Sequence, residues 1–248
     1  MGRQCRTGGR YGVRVDARVR MRRFWDARAR EQPWFYVDNR LAYDHPDLER
    51  FWAQGPSDLD ALLEMAGVAI RADDVVVDIG CGVGRLTRAM ASRAGHVYAL
   101  DISARMLQLA RRHNSHLDNV TWLQGDGAGL AGVPTAATDG CVSHVVFQHI
   151  PDPAITLSYV REMGRVLRPG GWAAFQLSTD AGVHRPPGLG VRLRGLLRRG
   201  PRGQGDPAWL GSAVAVDDLH AAAADGCLSV EHLENEASQF TVVRLRRR

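Results

Sequence analysis

The chain has 248 residues, 45% hydrophobic and 24% charged, which suits one well-packed domain with appendages and excludes wholesale disorder. Its formal charge of +5 is carried by arginine alone, in clusters at residues 3–30, 185–202 and 244–248; arginine without lysine fits a GC-rich genome, so the charge raises a nucleic-acid partner only modestly. Cys5, Cys81, Cys141 and Cys227 show no C-x-x-C spacing, no apolar run approaches bilayer-spanning length, and the basic N-terminus lacks an apolar h-region, so a reduced cytoplasmic setting is expected.

Residues 1–20 lack helical or strand periodicity and read as a mobile basic arm, with Met21 an equally good natural start. Residues 21–72 read as a helical lid segment, rich in aromatics at Phe24, Trp25, Trp34, Phe35 and Tyr36. Within it Gly55-Pro56 marks a turn, Ser57 with Asp60 opens a helix carrying Leu59, Leu62 and Leu63 on one face, and Gly67 closes it. Residues 73–248 form the core. Its first strand, Val75-Val76-Val77-Asp78-Ile79, runs into glycines at 80, 82 and 84. Leu86 and Met90 share the next helix face, with Gly95 as its C-terminal cap, and Ser103 caps a helix carrying Met106, Leu107 and Ala110. Pro153 opens a helix with Ile155, Val160, Met163 and Leu167, stopped by Pro169-Gly170-Gly171 before a fifth strand, Trp172 to Leu177. Strands alternating with helices predict a parallel sheet covered on both faces. Residues 178–212 form a proline-, glycine- and arginine-rich insertion, long enough to be functional and read as a substrate loop; a helix from Val216 to Ala224 and strands at 228–233 and 240–245 follow.

Glycines at alternate positions permit a tight turn and let a ligand approach the main chain. A dinucleotide fingerprint needs its third glycine where Arg85 stands, which argues against NAD. With an acid ahead of G-x-G-x-G, Asp78 to Gly84 resembles the first motif of class I S-adenosylmethionine-dependent methyltransferases. Four further features follow in that family's order. Asp101 closes Val97-Tyr98-Ala99-Leu100, 23 residues beyond Asp78, and Gly125-Asp126-Gly127 closes Val120-Thr121-Trp122-Leu123. Asp139 to Asp152 resembles the fourth-strand segment, and Leu167-Arg168-Pro169-Gly170-Gly171 the turn before the fifth. The resemblance is close over residues 73–177. It implies an α/β fold with a Rossmann-like, doubly wound seven-stranded sheet, mostly parallel with an antiparallel last strand. It also implies S-adenosyl-L-methionine as methyl donor and S-adenosyl-L-homocysteine as product.

By that resemblance Asp101 accepts from the ribose hydroxyls, Asp126 from the adenine amino group, and the Gly127 N–H donates to a ring nitrogen. Asp78 sits near the methionine amino group, and the amides after Gly80 and Gly82 face the carboxylate. Cys81, Gly84, Ile102, Met106, Ser143 and His144 complete the expected cofactor contacts. Blander readings stand beside these: Asp101 as a strand-end acid, Asp126 as a turn former and Met106 as core. His144 and His149 are the candidate bases for an acceptor that must lose a proton; a packing role for His149 is the alternative. Other histidines, such as His113, His116 and His220, are expected to face solvent.

Phe24-Trp25-Asp26 resembles an aromatic-acid stretch preceding many small-molecule methyltransferase cores. Trp25, Trp34, Phe35 and Tyr36 are the expected acceptor contacts, with stapling of the N-terminal helix as the plainer role for Phe24 and Trp25. No metal-ligand spacing is present in the sequence. The expected activity is methyl transfer to oxygen, nitrogen or carbon of a small molecule, such as a natural-product intermediate, by a monomer or homodimer. The alternatives are an RNA or protein methyltransferase, and a cofactor-binding cyclase or non-catalytic binder.

Overall fold

A computed structural model describes residues 15–185, 201–203 and 205–248, with side chains from residue 17. Three helices precede the sheet: α1 (Val15–Glu31), α2 (Pro33–Val37) and α3 (Leu48–Ala66). Strands and helices then alternate as β1 (Val75–Ile79), α4 (Arg85–Ala91), β2 (His96–Asp101), α5 (Ala104–His113), β3 (Val120–Gln124) and β4 (Thr138–Ser143). A single 3-10 turn, Phe147–His149, leads to α6 (Pro153–Val166) and β5 (Leu167–Leu177). The chain closes with α7 (Pro207–Leu210), α8 (Val216–Asp225), β6 (Leu228–Glu234) and β7 (Thr241–Arg247).

The seven strands lie in the order β3-β2-β1-β4-β5-β7-β6. The first five pair in parallel, and β7 runs antiparallel between β5 and β6. Period-two alternation splits each central strand between two apolar layers. Val77 and Ile79 of β1 and Phe175 of β5 face α6 and α8, whereas Val76, Val142 and Ala174 face α3 and α4. The chain reverses its winding between β1 and β4, so the carboxyl ends of β1, β2 and β4 open onto a crevice at the switch point.

Several expected boundaries move. Helix α1 begins at Val15, so residue 20 is no boundary; residues 1–14 lie outside the described region. Gly55-Pro56 is no turn: α3 runs through it, capped by Asp47 accepting from the Arg50 N–H rather than by Ser57. Packing overrides the local breaker, because Phe51, Leu59, Leu62 and Leu63 are buried on both sides of it and Gly55 lies against the Arg85 carbonyl. Helix α4 stops at Ser92, whose hydroxyl donates to Ala89 O, before Gly95 is reached. Leu167 begins β5, and Pro169-Gly170-Gly171 falls in an irregular stretch of that strand, between the Leu167–Thr138 and Trp172–Gly140 pairs. Gly67 does close α3, in the left-handed conformation.

Helices α6 and α8 approach so closely at Gly164 that a Cβ there would lie 1.9 Å from the main-chain oxygen of Gly226. Gly164→Ala is therefore expected to force the two backbones apart and destabilise the fold by about 1–3 kcal/mol. Thermal unfolding measures this, and an unchanged midpoint would refute the contact.

Candidate active site

The floor of the crevice is the turn between β1 and α4. Gly80, Gly82 and Gly84 take positive φ values of 78°, 55° and 86°, conformations costly for any side chain. The N–H groups of Gly80 and Cys81 both donate to Leu100 O, at 2.8 and 2.9 Å, fastening the turn to β2. A Cβ at residue 80 would strike Val146 at 2.5 Å, and one at residue 82 would strike Val37 at 2.9 Å. Gly84 caps α4 against Asn114 and Trp122.

Asp101 ends β2 beside this turn. Its Oδ2 accepts from the Gly82 N–H at 2.9 Å and its Oδ1 from the Ser103 N–H at 2.8 Å. Ser103 in turn donates its hydroxyl to Asp26 at 2.6 Å, so the acid of Phe24-Trp25-Asp26 ties α1 to the start of α5. Burial pushes the Asp101 carboxyl up to about 6. Asp78, buried behind the turn, accepts from Thr87 Oγ1 at 2.5 Å, and burial pushes it up to about 7. A cationic ligand would favour the ionised form of both acids and reverse these shifts.

The raised Asp78 value fixes a sign. The protonated acid favours the folded state, so its contribution is full below about pH 4 and is lost as pH rises through about 7. Asp78→Asn, which keeps an acceptor for Thr87, is expected to raise the unfolding temperature of the free protein at pH 8, with no gain at pH 4. Scanning calorimetry at the two pH values checks this; a variant less stable at pH 8 would contradict it.

Two chambers meet above the floor. The first, about 890 Å³ counting the open solvent at its mouth, is lined by Gly80, Gly82, Asp101, Ile102, Met106 and Gly127, together with Met21, Trp25, Tyr36 and Tyr159. The second, about 1250 Å³ counting the open solvent at its mouth, lies between Asp38, Arg40, Asp58 and Arg85 on one wall and Val183, Trp209, Leu210 and Phe240 on the other. Tyr36, Val37, His144, Val145 and His149 line both. Val145 holds φ at 56°, a strained value for a β-branched residue, at this junction. Its N–H is met by Gln176 Oε1 at 3.3 Å.

The two histidines differ. His149 Nδ1 lies 2.7 Å from the Trp209 carbonyl oxygen, which can only accept, so Nδ1 carries the hydrogen and Nε2 the lone pair of the neutral ring. Its ring packs against Trp25 and Trp209, and burial lowers its pKa, keeping it neutral at physiological pH. His144 has no hydrogen-bond partner among the described residues, and burial pushes its pKa down to about 4.

Of the expected site residues, Asp101, Ile102, Met106, Gly80, Gly82, Gly127, His144, His149, Trp25 and Tyr36 line the crevice. Others stand behind it. Ser143 donates to Ile79 O at 2.9 Å, bracing β4 on β1, and Cys81 packs on Ala99 and Leu107, its thiol pushed well above the ordinary range by burial. Asp126 is exposed between Gly125 and Gly127, accepting from the Ala128 and Gly129 N–H groups, with Arg18 at 3.6 Å.

Trp34 and Phe35 are corrections. Trp34 packs edge-on against Phe51, Trp52 and His113, and Phe35 against Tyr36 and Tyr43. The helix turns its successive side chains in different directions, so Tyr36 and Val37 line the cleft while Trp34 and Phe35 point away from it. His113 is accordingly packed between tryptophans rather than free in solvent. Trp209 lies in the insertion expected to serve as a substrate loop, of which residues 186–200 and 204 lie outside the described region; Tyr159 and the Asp38–Arg40–Asp58–Arg85 network escaped sequence reasoning. Only the position of Arg85 after the glycine turn singled out any of them.

Residues 77–175 match the family profile described as a methyltransferase domain. Those residues make a methyltransferase domain, as the class I S-adenosylmethionine-dependent resemblance implied. This methyltransferase core is similar to the ubiquinone biosynthesis O-methyltransferase of Serratia proteamaculans (strain 568), 34% identical over 121 residues, 48% of each chain. It is also similar to the 2-phytyl-1,4-naphtoquinone methyltransferase of Thermosynechococcus vestitus, 35% identical over 101 residues, 40% of this chain and 43% of that one. The match to that O-methyltransferase thus spans about half of the relative's length. In fold, geranyl diphosphate C-methyltransferase from Streptomyces coelicolor A3(2) superposes with a TM-score of 0.63 at 13% identity, covering 96% of this chain and 99% of that one. None of the described helices is long and apolar enough to cross a membrane.

Proposed function

We propose that the chain transfers a methyl group from S-adenosyl-L-methionine to an oxygen of a small-molecule acceptor of natural-product type; nitrogen and carbon acceptors could use the same geometry. The observation that carries this reading is the meeting of two chambers at His144 and His149, with Asp101 at the floor of the first. The first chamber suits the donor. It offers the Asp101 carboxyl, whose pKa burial has raised, main chain exposed by glycines, and apolar flanks at Ile102 and Met106.

When bound, the donor supplies a methyl group already activated on a sulfonium. Asp101 would take the ribose hydroxyls with the lone pairs left beyond its two N–H bonds, Gly127 and Asp126 the adenine edge, and Asp78 the ammonium end. Met21, Trp25 and Tyr159 exclude water from the first chamber. The unprotonated Nε2 of His149 is the group able to accept a proton from an acceptor hydroxyl, while the Trp209 carbonyl holds the ring in that tautomer.

Methyl-labelled donor offered with pooled candidate metabolites tests the reading. A product heavier than its precursor by about 14 Da, the mass of methyl replacing hydrogen, is the expected result. Tight donor binding with label passing to no metabolite would favour the non-transferring alternative, and label passing to RNA or protein would favour a macromolecular acceptor.

A further inference from the structure

The second chamber has two walls of opposite chemistry. On one wall Arg40 lies between two carboxylates, with Nε and Nη2 on Asp38 at 2.7 Å and Nη1 and Nη2 on Asp58 at 3.1 and 2.6 Å. Arg85 also bonds Asp58 through Nη1, while its side chain is only 3% exposed and its Nε is buried without a partner. Two cations and two anions therefore neutralise one another, and Arg85 keeps donor capacity that the protein does not use. His144, whose pKa lies far below neutrality, adds no charge. The opposite wall is apolar and reaches the surface. Val183 and Phe240, 43% and 44% exposed, are two of only four large hydrophobic side chains so exposed among the described residues, and both line this chamber. Open apolar side chains at the mouth of a pocket mark where an apolar part of a ligand leaves it.

We propose that the second chamber is the acceptor subsite for an uncharged amphiphile. Its polar head accepts a hydrogen bond from Arg85 and presents its hydroxyl toward His149, and its apolar chain leaves between Val183 and Phe240. An anionic head is disfavoured because the charges on the described lining already balance, so it would be buried without its own counter-charge. This assignment rests on the methyltransferase reading and adds the chemical class of the acceptor.

The test measures binding and needs no turnover. Protein saturated with S-adenosyl-L-homocysteine is titrated with 4-hydroxybenzoate and with its methyl, butyl and octyl esters. Affinity is expected to rise with chain length, by up to about fourfold for each methylene fully buried, and the free acid to bind weakest. Phe240→Asp, an exposed position away from the core, is expected to flatten the series while leaving S-adenosyl-L-homocysteine affinity, read in the other chamber, unchanged. Arg85→Lys is expected to weaken every ester by a similar factor and to preserve the dependence on length. Binding independent of chain length, a free acid that binds tighter than its esters, no binding of any ester, or a Phe240→Asp series as steep as the wild type would each overturn the assignment. Failure of the protein to bind S-adenosyl-L-homocysteine would instead overturn the methyltransferase reading beneath it.

Discussion

Replacing Asp101 by alanine is expected to raise the dissociation constant for S-adenosyl-L-methionine by about one to three orders of magnitude (~1.4–4 kcal/mol), the cost of losing hydrogen bonds to a charged acceptor. The carboxylate is held by two main-chain N–H groups, from Gly82 and Ser103, so it is aimed before the ligand arrives. Its pKa of about 6 gives the pH dependence a sign. A cationic ligand binds the ionised form, so affinity should be level above neutrality and weaken as pH falls through 6, by up to about tenfold per pH unit. Asp101→Asn should show weak binding that varies less with pH, its remaining variation coming from Asp78. In the free protein the sign reverses: the protonated acid favours folding, so the stability this group contributes is lost as pH rises through about 6. Calorimetric titration across pH 5–8 measures affinity; unchanged affinity for the alanine variant would remove Asp101 from the site.

Replacing His149 by glutamine is expected to lower the rate of methyl transfer to a hydroxyl acceptor by about 10²–10⁴, the range typical for loss of a general base. The wild-type rate should rise with pH through a value under 6.5 and then level off, because burial lowers the His149 pKa and only the neutral ring can take the proton. That limb should vanish in the variant. His144, pushed down to about 4, contributes no limb near neutrality. Nitrogen-15 spectra of the histidine rings give a second readout that needs no acceptor: His149 should hold its hydrogen on Nδ1, as the Trp209 carbonyl requires. A variant as fast as the wild type, or a ring protonated on Nε2, would show that His149 only packs.

The architecture was legible because its signals are local. Period-two apolar runs ending in Asp78 and Asp101, the glycines that only a left-handed turn explains, and the cap at Ser103 each depend on a few neighbouring residues. Errors arose where distant packing outweighed local preference. Pro56 sits inside α3 because Phe51 before it is buried against α1, α5 and the glycine turn, and Leu59, Leu62 and Leu63 after it against α4 and the sheet. Pro153 opens α6 where expected, since its fixed φ suits the first turn whatever lies farther along the chain.

The sequence by itself determined the sheet, the glycine turn and the acids at the strand ends, for these follow from periodicity and from backbone conformations few residues can adopt. Only the tertiary structure decided which aromatics face the crevice, which nitrogen of His149 is free, and that Asp38, Arg40, Asp58 and Arg85 share one wall of a second chamber. Those facts depend on side chains separated by tens of residues meeting in space, as when Trp209 supplies the carbonyl that orients His149, and no local pattern encodes such a meeting.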